Sequence, residues 1–366
     1  MGCAQSTTSS VSSSPQEVAA SRAIDDDLSR ARKDEARVTK CLLLGPGESG
    51  KSTILKQLRL CYGSPWSDRE RAPYREIVFA NTLQSAQAVL AAFPLLLITV
   101  PPHLDDATSY LANLELDDAI DPLTNGLREE VAEALTAFVE DESVSRVVAR
   151  SGRLQLNDSA DYFFTSIARI CEPSYLPSAQ DVLRSRVRST GIVEDKFEVG
   201  GGKRLLVVDV GGQRSERKKW IHCFENVDVL MFVIAVSEYD QMLYEDERVN
   251  RLDESMQLWE TIAQSRWFSK SAFVLFLNKR DRLADKILSG QSPLSSFLAS
   301  FTGPDGDVSA AEAFLAQLFK DLYRPSPARP LFTHLTCATD TTSTRVVLGV
   351  VLQSVLTRAL ADIGML

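Results

Sequence analysis

The stretch Gly45-Pro46-Gly47-Glu48-Ser49-Gly50-Lys51-Ser52 fits the spacing G-x-x-x-x-G-K-S/T and directly follows the apolar run Cys41-Leu42-Leu43-Leu44. Gly45 and Gly50 let the backbone turn back so that several N–H groups converge on an anion. Residues 53–58 then read as a helix whose N-terminus faces that anion. In such a loop Lys51 reaches the β- and γ-phosphates of a nucleotide, and the Ser52 hydroxyl ligates Mg²⁺. The loop alone does not choose the nucleotide.

Three later stretches bear on that choice. Asp209-Val210-Gly211-Gly212-Gln213 follows an apolar strand pattern. Asp209 suits a Mg²⁺ contact through water, the Gly212 N–H can approach a γ-phosphate, and Gln213 can orient a water for in-line attack. Asn278-Lys279-Arg280-Asp281 ends another apolar run. A carboxylate at Asp281 accepts from both N1–H and the 2-amino group of guanine, which adenine does not offer, while the Lys279 stem can lie over the base and Asn278 can tie loops together. In Thr336-Cys337-Ala338-Thr339 the small Ala338 lets its N–H approach the guanine O6. Each stretch alone could be only a tight or charged turn; in order, each at a strand end, they point to guanine nucleotide.

These loops need a scaffold. The chain has 366 residues, 44% hydrophobic and 24% charged, enough to bury a full core and to form two domains. The runs 229–236, 272–277 and 331–335 are nearly all apolar, as in parallel strands covered on both faces, and residues 192–199 and 204–209 flank a glycine run as a hairpin. Helical spacing at 247–264 and 344–360 completes a doubly wound α/β domain with its ligand site at the carboxyl ends of the strands. Between about residues 63 and 192 the strand pattern stops, and residues 76–93, 126–139 and 160–171 show helical spacing. An all-helical domain is therefore expected as an insertion.

A net charge of −9 gives no electrostatic reason to bind nucleic acid. The six cysteines lack CxxC spacing, which argues against a disulfide framework or zinc site and fits a reducing cytosolic compartment. The apolar segment 89–100, interrupted by Pro94, is too short to span a bilayer. Met1-Gly2-Cys3-Ala4-Gln5-Ser6 matches M-G-x-x-x-S/T, the N-myristoylation pattern, with Cys3 available for S-acylation; two acyl chains hold a protein stably on a membrane where one does not. A polar tether at 7–14 and a mixed-charge helix at 21–37 follow.

Together these residues resemble the alpha subunit of heterotrimeric G proteins, a Ras-like P-loop GTPase domain with an inserted helical domain. The resemblance rests on 45–52, 181–192, 209–220, 278–281 and 336–341 in family order. It implies a division into a tail and helix at 1–38, GTPase parts at 39–64 and 182–366, and a helical domain at 65–181. It implies that Arg186 is the built-in arginine that meets charge on the transferring phosphoryl group beside the water-orienting Gln213, with Glu48 holding Arg186 by an ion pair. Ser189 takes the place of a Mg²⁺-ligating threonine, and Thr53, Leu183, Arg184 and Cys337 join the GTP/GDP contacts. Leu156-Asn157-Asp158-Ser159 resembles the helical segment that closes over the nucleotide, with Asp158 and Ser159 nearest it.

The implied partners are a beta-gamma dimer on residues 21–37 and 214–224 and a seven-helix receptor on the C-terminal tail. The implied location is the cytoplasmic face of the plasma membrane, through myristate on Gly2 and palmitate on Cys3. Departures from the family pattern are Pro46 for alanine, Ser189 for threonine, Gly349 inside the last helix, and Ile363 where one subgroup carries a toxin-modified cysteine. Residues 94–125 match little. Two rivals remain open at this point: a GTP-binding scaffold that no longer turns over, and an ATPase or kinase on the same loop, disfavoured by Asp281.

Overall fold

The computed structural model describes residues 38–150, 156–187, 189–199, 203–243, 245–324 and 329–362, with side chains as far as 353. The acylation pattern at Gly2 and Cys3, the tether, the helix at 21–37, the glycine run 200–202 and the final residues 363–366 lie outside them.

The elements run β1 (Val38–Leu44), α1 (Lys51–Tyr62), α2 (Asp68–Arg71), α3 (Tyr74–Leu95), α4 (Asp105–Ala112), α5 (Leu116–Ala119), α6 (Glu129–Glu140), α7 (Glu142–Arg150), α8 (Ala160–Thr165), α9 (Ile167–Ile170) and α10 (Ala179–Arg184). There follow β2 (Ile192–Glu198), β3 (Arg204–Val210), β4 (Val229–Ala235), α11 (Arg251–Ala263), β5 (Ala272–Asn278), α12 (Arg280–Ser289), α13 (Val308–Asp321), β6 (Leu331–Leu335) and α14 (Thr341–Asp362).

Among the described residues, six strands form one sheet in the order β2-β3-β1-β4-β5-β6. Only β2 is antiparallel to its neighbour, and its mostly exposed side chains mark it as the edge. Central β4 and β5 are buried at every position, which explains their unbroken apolar sequence. Alternation along the strands feeds two cores. Leu42, Leu44, Val208, Leu230, Phe232 and Ile234 pack against Trp259, Leu283 and Leu315 of α11, α12 and α13. On the opposite face Cys41, Leu43, Val207, Met231 and Val233 pack against Ile54 and Leu58 of α1 and Leu348 and Val351 of α14. Because β1 has β3 on one side and β4 on the other, the loop after β1 sits where the connections diverge, the usual ligand crevice of such sheets.

The helices from α3 to α9 surround separate cores, one built on Phe93, Leu111, Leu135, Phe138 and Val147, the other on Phe79, Phe163 and Tyr175. Residues 94–125 resolve into the short α4 and α5. The helix expected from residue 126 starts at Glu129, because Arg128 is extended and Leu127 bridges back to Ile120. The helix expected over 160–171 breaks at Ser166 into α8 and α9. That expected from 247 starts at Arg251, where Asn250 caps it by accepting from Leu252 N at 2.8 Å. Pro94 lies in the last turn of α3, and among the described residues no helix is long and apolar enough to cross a membrane.

Candidate functional site

The loop between β1 and α1 closes on itself. Lys51 Nζ donates to Gly45 O at 3.0 Å and Pro46 O at 2.7 Å, and Ser49 Oγ donates to Pro46 O at 3.1 Å. Burial pulls the Lys51 ammonium down to about 8, with the Asp209 carboxylate opposing that fall. Gly50 has φ +101° and its Cα faces the Asn278 side-chain amide, so a Cβ there would be both strained and blocked. Gly212 meets the loop from the β3 side. A Cβ on it would come within 2.6 Å of Pro46 O and 2.7 Å of Gly45 O.

Directly below, Ser52 Oγ lies 2.6 Å from Ser189 Oγ and donates to Asp209 Oδ2 at 2.7 Å. Asp209 is 2% exposed, and its other oxygen, Oδ1, is buried with no hydrogen-bond partner among the described residues. Burial raises the Asp209 carboxyl above its usual range despite the Lys51 charge nearby. Two hydroxyls and an orphaned carboxylate oxygen are a hard-oxygen set, and they fit a divalent cation such as Mg²⁺.

Arg186 forms an ion pair with Glu48. Glu48 sits at φ +66° in the phosphate loop and takes Arg251 Nη2 on its other oxygen at 2.9 Å. Burial pushes the Glu48 carboxyl upward, but Arg251 and Arg186 outweigh it and hold the group below the ordinary range. Arg251, only 7% exposed, also reaches Glu238 at 3.2 Å. Removing one partner from such a buried network costs about 3–5 kcal/mol, so it fixes the geometry of the loop more than it adds net stability. Gln213 lies over the loop, where a Cβ on Gly47 would be 3.4 Å from Gln213 Cγ.

On the opposite wall Asn278 donates from Nδ2 to Ser49 O at 2.8 Å, and its Oδ1 accepts from Ala338 N at 2.9 Å and Thr336 Oγ1 at 3.2 Å. One side chain thus joins the phosphate loop to the loop after β6. The Ala338 N–H, expected to approach a base oxygen, is donated to Asn278. The Asp281 side chain remains exposed at the rim. Lys279, at φ +63°, points its ammonium at Asp158 Oδ2 and Glu238 Oε1, each at 2.6 Å, and these carboxylates overcome burial to keep it charged. Arg282 Nη1 reaches Asp161 Oδ2 at 2.8 Å and its other nitrogen donates to Asp158 O. These contacts bring the segment before α8 against the sheet domain.

The result is a cavity of about 220 Å³. Gly47, Glu48, Gly50, Lys51, Ser52 and Thr53 form its floor; Asp158, Ser159, Leu183, Arg184, Arg186 and Ser189 form one side; Gly212, Gln213, Asn278, Lys279, Asp281 and Ala338 form the other. Gly45, Ser49, Asp209 and Cys337 stand behind this wall; Cys337 Sγ lies 3.3 Å from Thr339 Oγ1. Residues separated by nearly 300 positions in the chain converge on one phosphate loop.

A family model described as G-protein alpha subunit matches residues 18–355. The chain belongs to the G-protein alpha subunit family. This alpha subunit is 45% identical to "Guanine nucleotide-binding protein alpha-1 subunit" of Mycosarcoma maydis over 344 residues, covering 94% of this chain and 95% of the relative. It is 43% identical to "Guanine nucleotide-binding protein subunit alpha" of Coprinellus congregatus over the full length of both chains. It is 43% identical to the alpha-1 subunit of Neurospora crassa over 356 residues, 96% of each chain. Alpha subunits of this family are guanine nucleotide-binding GTPases, and so is this chain.

Sequence reasoning missed Glu238, Arg251, Glu254 and Arg282. Glu254 of α11 binds Arg214 at 2.6 Å and Arg217 at 3.2 Å, while Arg217 Nε donates to Gly212 O at 3.1 Å, so the loop carrying Gln213 is tied to α11. These residues sit inside helices or beside them, where a charged residue reads as a solvated face. Of the segment 214–224, Trp220 turns inward and donates Nε1–H to Gly211 O at 2.8 Å, leaving Lys218, Lys219, Ile221 and His222 outward.

Proposed function

We propose that this alpha subunit is a Mg²⁺-dependent molecular switch that hydrolyses GTP to GDP and phosphate and couples a seven-helix receptor to intracellular effectors. The observation that carries this reading is that the cluster of Ser52, Ser189 and Asp209 lies beside one cavity that Lys51, Arg186 and Gln213 also line.

The loop N–H groups and Lys51 bind the β- and γ-phosphates, and Asp281 selects guanine. Ser52 and Ser189, with Asp209 through water, would hold Mg²⁺, which would supply charge neutralisation to the phosphates. Gln213 orients a water in line with the γ-phosphorus; the bond from that water oxygen forms as the bond to the bridging oxygen breaks, leaving GDP. Arg186 meets the charge that develops on the transferring group, the arrangement known for this class of GTPase with its arginine in cis. Contacts to the γ-phosphate order residues 183–190 and 212–220, and their loss after hydrolysis changes the surface offered to partners.

The partners follow from the family: a beta-gamma dimer on residues 21–37 and on the outward side chains of 214–224, and a receptor on the C-terminal tail. Acylation of Gly2 and Cys3 places the protein on the cytoplasmic face of the plasma membrane. The chain divides in this reading into residues 1–38, 39–64, 65–181 and 182–366, as tail, GTPase domain, helical domain and GTPase domain. Competition of unlabelled GTP and ATP against a fluorescent guanine nucleotide tests the base selectivity. Displacement by GTP at far lower concentration than ATP is expected, and equal displacement contradicts the role given to Asp281. Mass spectrometry of the native N-terminus tests the anchor, and an unmodified Gly2 and Cys3 contradict it.

A further inference from the structure

Arg186 is held at two places. Its guanidinium is paired with Glu48, as described, but its peptide is held from the helical domain. Asn81 of α3 accepts the Arg186 N–H on Oδ1 at 2.6 Å and donates from Nδ2 to Arg186 O at 3.2 Å. An asparagine amide has one acceptor and two donors, so it can satisfy both polar groups of a single residue as a strand neighbour would. Asn81 is 5% exposed and its own turn is braced, since Ser85 Oγ donates to Asn81 O at 2.6 Å. From the other side Lys56 of α1 donates to Ser185 O at 2.9 Å and to Val182 O at 2.8 Å, fixing the residues just before the arginine.

An arginine that must meet charge appearing only in the transition state acts through placement, and a shift of the order of 1 Å forfeits much of its effect. Its long side chain carries considerable rotamer freedom, so the position of its Cα decides which rotamers reach the γ-phosphate. Residues 185–187 lie outside any helix or strand, so side-chain contacts such as those of Asn81 and Lys56 help to fix the path of the main chain.

We propose that Asn81 is a positioning residue for GTP hydrolysis: by clamping the Arg186 peptide it makes the helical domain part of the hydrolytic apparatus. This rests on the reading of Arg186 as the arginine of the transition state. Asn81 touches neither nucleotide nor metal in this account and acts only through Arg186.

A double-mutant cycle in the full-length chain tests this, using single-turnover phosphate release, with GDP dissociation and thermal unfolding measured alongside. Asn81→Ala is expected to slow hydrolysis by about tenfold, the scale of losing a hydrogen-bonded clamp in the transition state. In an Arg186→Ala background the same substitution is expected to change the rate by less than about twofold, because the group it positions is gone. Asn81→Asp, which keeps the oxygen that accepts from Arg186 N–H, is expected to fall between, and it carries the cycle if Asn81→Ala does not fold. An equal loss in both backgrounds means that Asn81 only stabilises the domain, and overturns the proposal. So does an Asn81→Ala rate equal to that of the unmodified chain. If the unmodified chain itself does not cleave GTP, the reading of Arg186 fails first, and the proposal with it.

Discussion

Lys279 Nζ lies 2.6 Å from Asp158 Oδ2 and 2.6 Å from Glu238 Oε1, so one ammonium two positions before Asp281 fastens the helical domain to the sheet domain. Asp158 and Lys279 both line the cavity. Asp158 is 48% exposed on its side chain, which limits the pair to roughly 1 kcal/mol. Asp158→Ala, which leaves Lys279 its buried partner Glu238, is therefore expected to accelerate GDP dissociation by about five- to tenfold while leaving single-turnover hydrolysis unchanged. Dissociation at the unmodified rate would show that other contacts close the cleft.

Gln213 packs over the Gly47 turn of the phosphate loop, with its side chain in the cavity. Replacing it with leucine keeps the bulk and removes the amide. GTP affinity should stay within a few-fold, and hydrolysis should fall by at least about 100-fold, in keeping with what this glutamine does in the class. Unchanged phosphate release in Gln213→Leu removes Gln213 from the mechanism.

Asp181 supplies an acid-sensitive joint just before residues 183–190. It is fully buried and accepts from Arg169 at 2.7 and 2.9 Å, Tyr162 OH at 2.8 Å, Tyr175 OH at 3.0 Å and Ser178 N at 2.7 Å. Burial pushes this carboxyl up, but Arg169 and the other donors prevail and bring it down to about 2 from an ordinary value of 3.8. A depressed carboxylate contributes stability that is present above pH 3.8 and lost as pH falls towards about 2. The shift corresponds to about 2 kcal/mol. Asp181→Asn should lower stability at pH 7 by about that amount and flatten the acid limb of a urea-unfolding series between pH 4 and 2. A parallel acid limb in the variant would contradict this.

Gly349 interrupts α14 with no positive φ and no crowding; the nearest atom to a Cβ there is Tyr62 Oη at 3.9 Å, an ordinary contact. Its cost is conformational. Gly349→Ala should raise stability by about 1 kcal/mol, read as a higher denaturant midpoint with an unchanged slope. A lower midpoint would mean that the helix needs the glycine.

The sheet was legible because its central strands are unbroken apolar runs, and the phosphate loop because Gly50 and Lys51 occupy positions that few other residues tolerate. The pairing of Glu48 with Arg186 followed from family resemblance and has no signature in spacing, since 138 positions separate them. Arg251 and Glu238 were invisible for a different reason. Each sits where sequence alone suggests a solvated charge, and only the fold brings the Arg251 guanidinium to both Glu48 and Glu238. Residues 105–119 were obscure because α4 and α5 are short and bury little beyond Leu111 and Ala119. Ser166 splits one expected helix by adopting a turn conformation that its neighbours' helical spacing conceals.

The most direct test of the central claim is single-turnover phosphate release from GTP by the purified chain, with Mg²⁺ present or chelated and with ATP as control. Slow release from GTP that requires Mg²⁺ and is absent with ATP is the predicted result. Tight GTP binding with no phosphate release, or release that ignores Mg²⁺ or proceeds equally from ATP, would contradict the roles assigned to Gln213, Asp209 and Asp281.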